Sequence, residues 1–245
     1  MYAGFFKRLL DVILGVTALF ILIVPMLIIA AAVKIDDPKG TVFFKQTRVG
    51  RNGKPFKIMK FRSMHSDTPK HLPSHMFSPE DYEKHVTRIG RFLRRTSLDE
   101  LPQVFNIIAG DMSWVGPRPV LAKEKELTEA RNAAGLSGFR PGLTGWAQIN
   151  GRNTLTDEEK ARYDAEYVQR ISFTFDMYCM LKTAKIVVTK KGFQEGTNRQ
   201  YDPSVDFEAA EEFSLQYDAT LSGDIGLRTL GDQKDTEKEP TYAGK

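Results

Sequence analysis

Cysteine is almost missing. Cys179 is the one thiol in 245 residues, which leaves no internal disulfide framework and suits a reducing compartment. A lone thiol of this kind reads as a small buried apolar residue. Several catalytic signatures are missing as well. There is no Gly-x-x-x-x-Gly-Lys-Ser/Thr loop, no kinase His-Arg-Asp set, no Gly-x-Ser-x-Gly elbow and no His-Glu-x-x-His pair. The common nucleotide-hydrolysing, serine and zinc chemistries therefore lack their parts. Histidine is scarce, and all four copies fall between residues 65 and 87. His71 and His75 have the i, i+4 spacing of a metal pair, but Pro73 between them opposes a helix, so no zinc site is expected. Charge is absent from Val12 to Val33, a run about long enough to cross a bilayer core.

That run is too long for a signal-peptide core, which makes it a membrane segment. Pro25 lies in its middle, where it deletes a backbone hydrogen bond and favours a kink. Lys7 and Arg8 precede the run, and Lys34, Lys39, Lys45 and Arg48 follow it. Basic flanks prefer the cytoplasmic side. Both can satisfy that preference only if the chain enters the bilayer and returns, so a re-entrant helical hairpin bent near Pro25 is expected. The alternative is a kinked single-pass helix with its short N-terminus outside. Either way the body that follows is cytoplasmic. The net charge of +4 and the pI of about 9.0 suit anionic partners without choosing among them.

The remainder predicts an α+β domain, mostly helical. Thr41–Val49 and Pro55–Met64 read as strands of a hairpin turned at Asn52-Gly53. Residues 65–87 carry mixed charge and three prolines, and read as a loop. Thr87–Arg95 has a helical pattern. Ser97 and Glu100 then match a capping box that would open a second helix running to Gly110. Two rigid turns follow, Gly116-Pro117-Arg118-Pro119 and Arg140 to Trp146. A second capping box, Thr156 with Glu159, opens a helix, and a further helix covers about Asp176 to Lys191 with mixed apolar and basic faces suited to a membrane surface or a core. Three regions result: an anchor at 1–35, a catalytic domain at 36–205 and an acidic C-terminal extension at 206–245, disordered toward its end.

The adjacent carboxylates Asp99 and Glu100 are the sharpest chemical feature. At a helix start, free N–H groups would keep both ionised, as an attacking carboxylate or a divalent-metal ligand requires. Arg94 and Arg95 stand four or five residues upstream, Arg118 is fixed between Pro117 and Pro119, Arg140 precedes Pro141 and Arg152 follows a glycine. Arginine on stiff backbone suits bidentate recognition of phosphate. Such a set fits phosphoryl transfer, in which a carboxylate can form an acyl-phosphate.

The chain resembles the monotopic phosphoglycosyl transferases, or bacterial sugar transferases. The resemblance is carried by Lys7-Arg8-Leu9-Leu10-Asp11, Pro25, Phe44-Lys45-Gln46-x-Arg48-x-Gly50 and Lys60-Phe61-Arg62-Ser63-Met64. Thr96 to Gln103, Asp111 to Pro119 and Arg140 to Gln148 complete it, in the same order along residues 7–194. One departure is Val24, where such proteins often carry serine before the breaking proline. The resemblance implies transfer of a phosphosugar from a UDP-sugar to polyprenyl (undecaprenyl) phosphate at the cytoplasmic face of the bacterial inner membrane, the first membrane step of exopolysaccharide, capsule or glycoconjugate synthesis. It implies Asp99 as nucleophile and Glu100 as its assistant through Mg²⁺ or proton handling, both carboxylates being candidate Mg²⁺ ligands. Lys60, Arg94, Arg118 and Arg152 would bind substrate. Membrane lipid is then a partner and nucleic acid is not. Self-association or contact with downstream glycosyltransferases is left to the C-terminal extension. Two other readings stay open from the residues themselves: a non-catalytic module for anionic lipid or nucleic acid, and a hydrolase of polyprenyl diphosphates.

Overall fold

The computed structural model describes residues 2–68, 79–151 and 155–189. His71, His75, Arg152 and the extension from 206 lie outside the described residues. After a π-helical turn at Tyr2–Phe6, helix α1 runs from Lys7 to Asp36, 30 residues with Pro25 inside it. It is long and apolar enough to cross a membrane, and little of its most apolar stretch is covered. Phe20, Ile21, Val24, Leu27 and Ile28 all face outward.

Both ends of α1 grip the same body. At its start, Lys7 Nζ donates to Asp176 at 2.6 Å, and Asp11 Oδ1 accepts from Ser113 Oγ at 3.0 Å and from the Trp114 amide at 3.1 Å. Arg8 donates to the carbonyls of Ile107 and Ile108. At its end, Asp36 accepts from the Ile89 amide at 3.0 Å and Asp37 pairs with Arg62. Met26 and Val33 are buried in a cluster with Phe61 and Leu93.

The expected hairpin forms as β1 (Phe43–Val49) and β2 (Pro55–Phe61), antiparallel, with Phe44 opposite Lys60. Asn52 and Gly53 take the positive φ that the turn requires (57° and 74°). The stretch read as a loop contains a short helix, α2 (Pro79–His85), so that expectation is corrected in part; its sequence is too short for periodicity to show. Helix α3 (Arg88–Thr96) is capped by Thr87, whose hydroxyl accepts from the Gly90 amide.

The second helix is not as expected. Ser97 lies in the left-handed region (φ 57°) and terminates α3, with no side-chain cap. A single 3-10 turn, Leu98–Glu100, follows, and α4 begins only at Gln103 after Pro102 and ends at Ala109. The next residue, Gly110 (φ 99°), closes α4, its amide bonding back to the carbonyls of Asn106 and Ile107. The Ser97–Glu100 spacing matched a capping box, but its Ser97 belongs to the helix before.

The two proline-glycine segments are strands as well as turns. β3 (Ser113–Val115) pairs in parallel with β4 (Gly142–Thr144). The strands approach so closely that a Cβ on Gly142 would sit 2.1 Å from the Gly116 nitrogen. Between them lies α5 (Lys125–Ala133), which the sequence reading did not mark, and after them α6 (Trp146–Asn150). The Thr156–Glu159 capping box is formed and opens α7 (Asp157–Arg170); α8 spans Phe173–Thr189. Cys179 is fully buried against Val115, Tyr167 and Phe175, as a lone apolar thiol should be.

Gly90 allows α3 to lie on the backbone of Ser63, since an added Cβ would stand 2.0 Å from the Ser63 oxygen. Gly90→Ala should therefore force the helix off the Ser63 backbone at a cost of about 2 kcal/mol. A melt of the detergent-solubilised protein should show a Tm lowered by roughly 4–8 °C.

Candidate active site

The site is built on β2, α3 and the turn after it. Leu98 and Leu101 bracket Asp99 and Glu100, and both leucines pack on the cluster of Met26, Val33, Phe61 and Leu93. Their burial fixes the turn and directs the two carboxylates the other way. Lys60, on β2, meets them: its Nζ donates to Glu100 Oε1 at 2.6 Å. The register of β2 is held by the buried side chain of Asn106, which accepts from the Met59 amide at 3.0 Å and donates to the Lys57 carbonyl at 2.9 Å. Asn106 is on α4, the element directly after the carboxylate turn. One side chain thus ties the lysine strand to the carboxylate turn.

Asp99 is half-buried, and its carboxyl is pushed up from the ordinary 3.8 to about 6. Burial is the main cause, because it penalises the charged form. The adjacent Glu100 charge raises it further, while Lys60 and Arg94 pull it down. Arg94, in the last turn of α3, also stacks its guanidinium on Tyr82 at 5.7 Å from the ring centre. Four of the expected site residues (Lys60, Arg94, Asp99 and Glu100) therefore form one electrostatic cluster. The basis for it differs from the sequence argument. The carboxylates sit in a one-turn 3-10 segment, and what acts on Asp99 is burial and neighbouring charge, not the dipole of a long helix.

Arg118 is exposed between its two prolines. Its link to the cluster is Arg48, which the sequence reading counted as a basic flank of the apolar run and gave no role in the site. Arg48 is held by Gln46 Oε1 at 2.7 Å and the Pro119 carbonyl at 3.4 Å, and Glu124 stands 3.9 Å away. Its Nε is buried without a partner. Burial first, then the charge of Arg118, pulls the Arg48 guanidinium down to about 10, with Glu124 and Glu100 acting the other way. Arg48 thus feels both Arg118 and Glu100 and connects them electrostatically. The sequence signal for it was its place in the Phe44-Lys45-Gln46-x-Arg48-x-Gly50 motif on an expected strand.

Arg140 is placed elsewhere. Its Nε donates to the Gly110 carbonyl at 2.8 Å, where with Arg8 it satisfies the end of α4. A shallow cavity lined by Arg170, Ser172, Thr174, Phe175 and Tyr178 touches none of the charged groups above. Among the described residues no group of three or more His, Cys, Asp or Glu side chains could cage a metal. Mg²⁺, however, commonly takes one or two carboxylates and fills its remaining positions with phosphate oxygens and water. Asp99 and Glu100 fit that role, and a cation beside them would offset the burial that raises Asp99.

The family model for bacterial sugar transferases matches residues 2–190. The uncharacterized sugar transferase EpsL of Bacillus subtilis is 40% identical over 191 residues, covering 77% of this chain and 90% of EpsL. The exopolysaccharide production protein ExoY of Rhizobium meliloti is 39% identical over 201 residues, 77% of this chain and 88% of ExoY. The UDP-glucose:undecaprenyl-phosphate glucose-1-phosphate transferase of Escherichia coli is 42% identical over 185 residues, 72% of this chain. Of that longer relative the chain spans only 39%.

A carboxyl that holds its proton up to about pH 6 when folded, and releases it near 3.8 when unfolded, stabilises the fold only below those values. The stabilisation is complete below about pH 4 and is lost as pH rises through 6. Asp99→Asn, which is neutral throughout, should raise Tm at pH 7.5 and leave it nearly unchanged at pH 4. NMR titration of labelled aspartate should place the Asp99 inflection near 6, and Lys60→Ala should move it higher.

Proposed function

Because the chain belongs to the bacterial sugar transferase family, we propose that it is a phosphoglycosyl transferase that moves a sugar 1-phosphate from a UDP-sugar to polyprenyl phosphate. One observation carries this reading: a half-buried carboxylate, Asp99, stands between two cations in a turn packed on the apolar N-terminal helix. A polar nucleotide sugar and a lipid phosphate can meet at such a place.

The first step is attack by an Asp99 oxygen on the β-phosphorus. The P–O bond to the uridine monophosphate breaks, UMP leaves with the electron pair, and an acyl-phosphosugar remains on Asp99. In the second step a phosphate oxygen of the carrier attacks the same phosphorus. The Asp99–phosphorus bond breaks, the carboxylate is restored, and polyprenyl diphosphate-sugar departs. A pKa of about 6 leaves Asp99 mostly ionised at neutral pH, yet more basic than an ordinary carboxylate. Lys60 holds Glu100 and lowers the charge that a diphosphate would meet. Arg94 and Arg118, with Arg48 behind the latter, would neutralise phosphate oxygens as charge builds, and Arg152 is assigned the same role by resemblance. Asp99 and Glu100 would hold Mg²⁺, which would supply further charge neutralisation on the diphosphate.

We also infer that α1 enters the bilayer and returns to the cytoplasmic face. A straight 30-residue helix is about 45 Å long, and one that crossed would set its ends on opposite surfaces. Instead Lys7, Arg8 and Asp11 at one end, and Asp36 and Asp37 at the other, bond to one body. Pro25 supplies a missing hydrogen bond at which the helix can bend. On α8, Phe173, Tyr178, Leu181 and Val188 are exposed together with Lys182 and Lys185, which suits a helix lying on anionic lipid.

Purified protein in nanodiscs with polyprenyl phosphate should release UMP from at least one member of a UDP-sugar panel that begins with UDP-glucose. Asp99→Asn should lower that rate by about three orders of magnitude or more. Without acceptor, mass spectrometry should find a phosphosugar on Asp99; release of inorganic phosphate with unlabelled protein would instead identify a hydrolase. Topology is checked separately. Gly4→Cys and Lys39→Cys are both at exposed positions, and buried Cys179 should stay silent. An impermeant maleimide should label both in inverted vesicles only; labelling of position 4 from outside would mean a single crossing.

A further inference from the structure

The segment that carries Arg118 is held to an unusual degree. Pro117 and Pro119 have no N–H, so their carbonyls are the backbone handles available on either side of Arg118. All four carbonyls from 117 to 120 are taken, each by a different donor. The Gly142 amide donates to Pro117 O at 2.8 Å and Arg131 Nη1 to Arg118 O at 2.8 Å. Arg48 Nη1 donates to Pro119 O at 3.4 Å and the Val49 amide to Val120 O at 2.9 Å. The Arg118 guanidinium itself makes no hydrogen bond to any described residue and is exposed.

The donor on Arg118 is the one with no other evident use. Arg131 lies on α5, and its Nε and Nη2 both donate to Asp164 Oδ2 of α7, at 2.9 and 2.6 Å. Asp164 is fully buried and Arg131 nearly so. Apolar contacts already join the same helices, through Leu127, Ala130 and Ala161 against Val120. A buried ion pair adds little stability that packed apolar side chains could not supply. What it does supply is a guanidinium locked on one side, with its third donor fixed on a single carbonyl oxygen.

We propose that Arg131, oriented by Asp164, is a positioning residue that sets the angle at which the Arg118 side chain enters the site. This rests on the phosphoglycosyl transferase reading, with Arg118 as a phosphate ligand. A side chain held in place before substrate arrives loses little entropy on binding, and a misplacement of about 1 Å can cost on the order of a hundredfold in rate. Arg131 and Asp164 are then expected to act on catalysis only through Arg118.

The test is a double-mutant cycle on kcat/KM for UMP release, with melts run in parallel. Arg131→Gln should lower kcat/KM by roughly 10–100-fold in the otherwise native protein. In an Arg118→Lys background, where the guanidinium to be aimed is gone, it should cost less than about threefold. Equal losses in both backgrounds, or no loss in the native one, would overturn the proposal. If Arg131→Gln does not fold, Arg131→Lys serves in its place. It keeps the charge beside Asp164 but cannot reach both Oδ2 and the Arg118 carbonyl, so it should fold and show the same background dependence; native activity would again sink the idea. A native protein that releases no UMP from any UDP-sugar speaks against the functional reading and not against the clamp.

Discussion

The molecule depends on one shared core. Met26 and Val33 of the N-terminal helix, Phe61 of the lysine strand, Leu93 of the arginine helix, and the leucines on either side of Asp99 and Glu100 pack together. The driving force is ordinary burial of apolar surface, on the order of 1.5–3 kcal/mol for each large side chain. Its consequence is geometric. The apolar helix is no detachable tether, because the residues that fix it also fix the carboxylate turn. A site formed this way cannot drift away from the apolar helix while the domain remains folded.

Around that core, polar groups set positions that apolar packing leaves free. Asn106 locks the strand of Lys60 to the helix after the carboxylates. Arg8 and Arg140 satisfy the carbonyls at the far end of the same helix, two arginines that would otherwise read as phosphate ligands. Gly142 and Arg131 hold the backbone of Arg118. In each case a buried hydrogen bond to a backbone oxygen is costly to leave unmade, which makes the arrangement specific even where it adds little net stability. The Arg118 guanidinium is left exposed, and Asp99 half-buried, by this arrangement.

Asp99 shows how the two layers combine. Its carboxyl is raised by burial that the leucine packing imposes, and restrained by Lys60 and Arg94 that the strand and helix deliver. Neither effect comes from the local sequence Leu-Asp-Glu-Leu. A free peptide of that sequence would hold two ordinary carboxylates.

The local chemistry of the chain was readable in one dimension. Asn52-Gly53 dictates a hairpin because few other residues accept positive φ, Thr156 and Glu159 cap a helix by reaching only three residues, and an uncharged run of that length has no soluble explanation except burial. The carboxylate pair and the nearby arginines stood out from the residues themselves, whereas Asp99, Glu100, Lys60, Arg94 and Arg118 as a set came from the resemblance to bacterial sugar transferases. Local signals failed where a competitor stood nearby. Ser97 matched a capping box but ends the preceding helix in the left-handed region, and two proline-rich turns contain a parallel strand pair whose partners lie 29 residues apart in sequence, Ser113 with Gly142. Tertiary structure alone decided that Arg48 links Arg118 to Glu100, that Arg140 serves a helix end, and that Arg131 holds Arg118. An arginine's role is set by which oxygen its five donors reach, and that depends on chain segments tens of residues away.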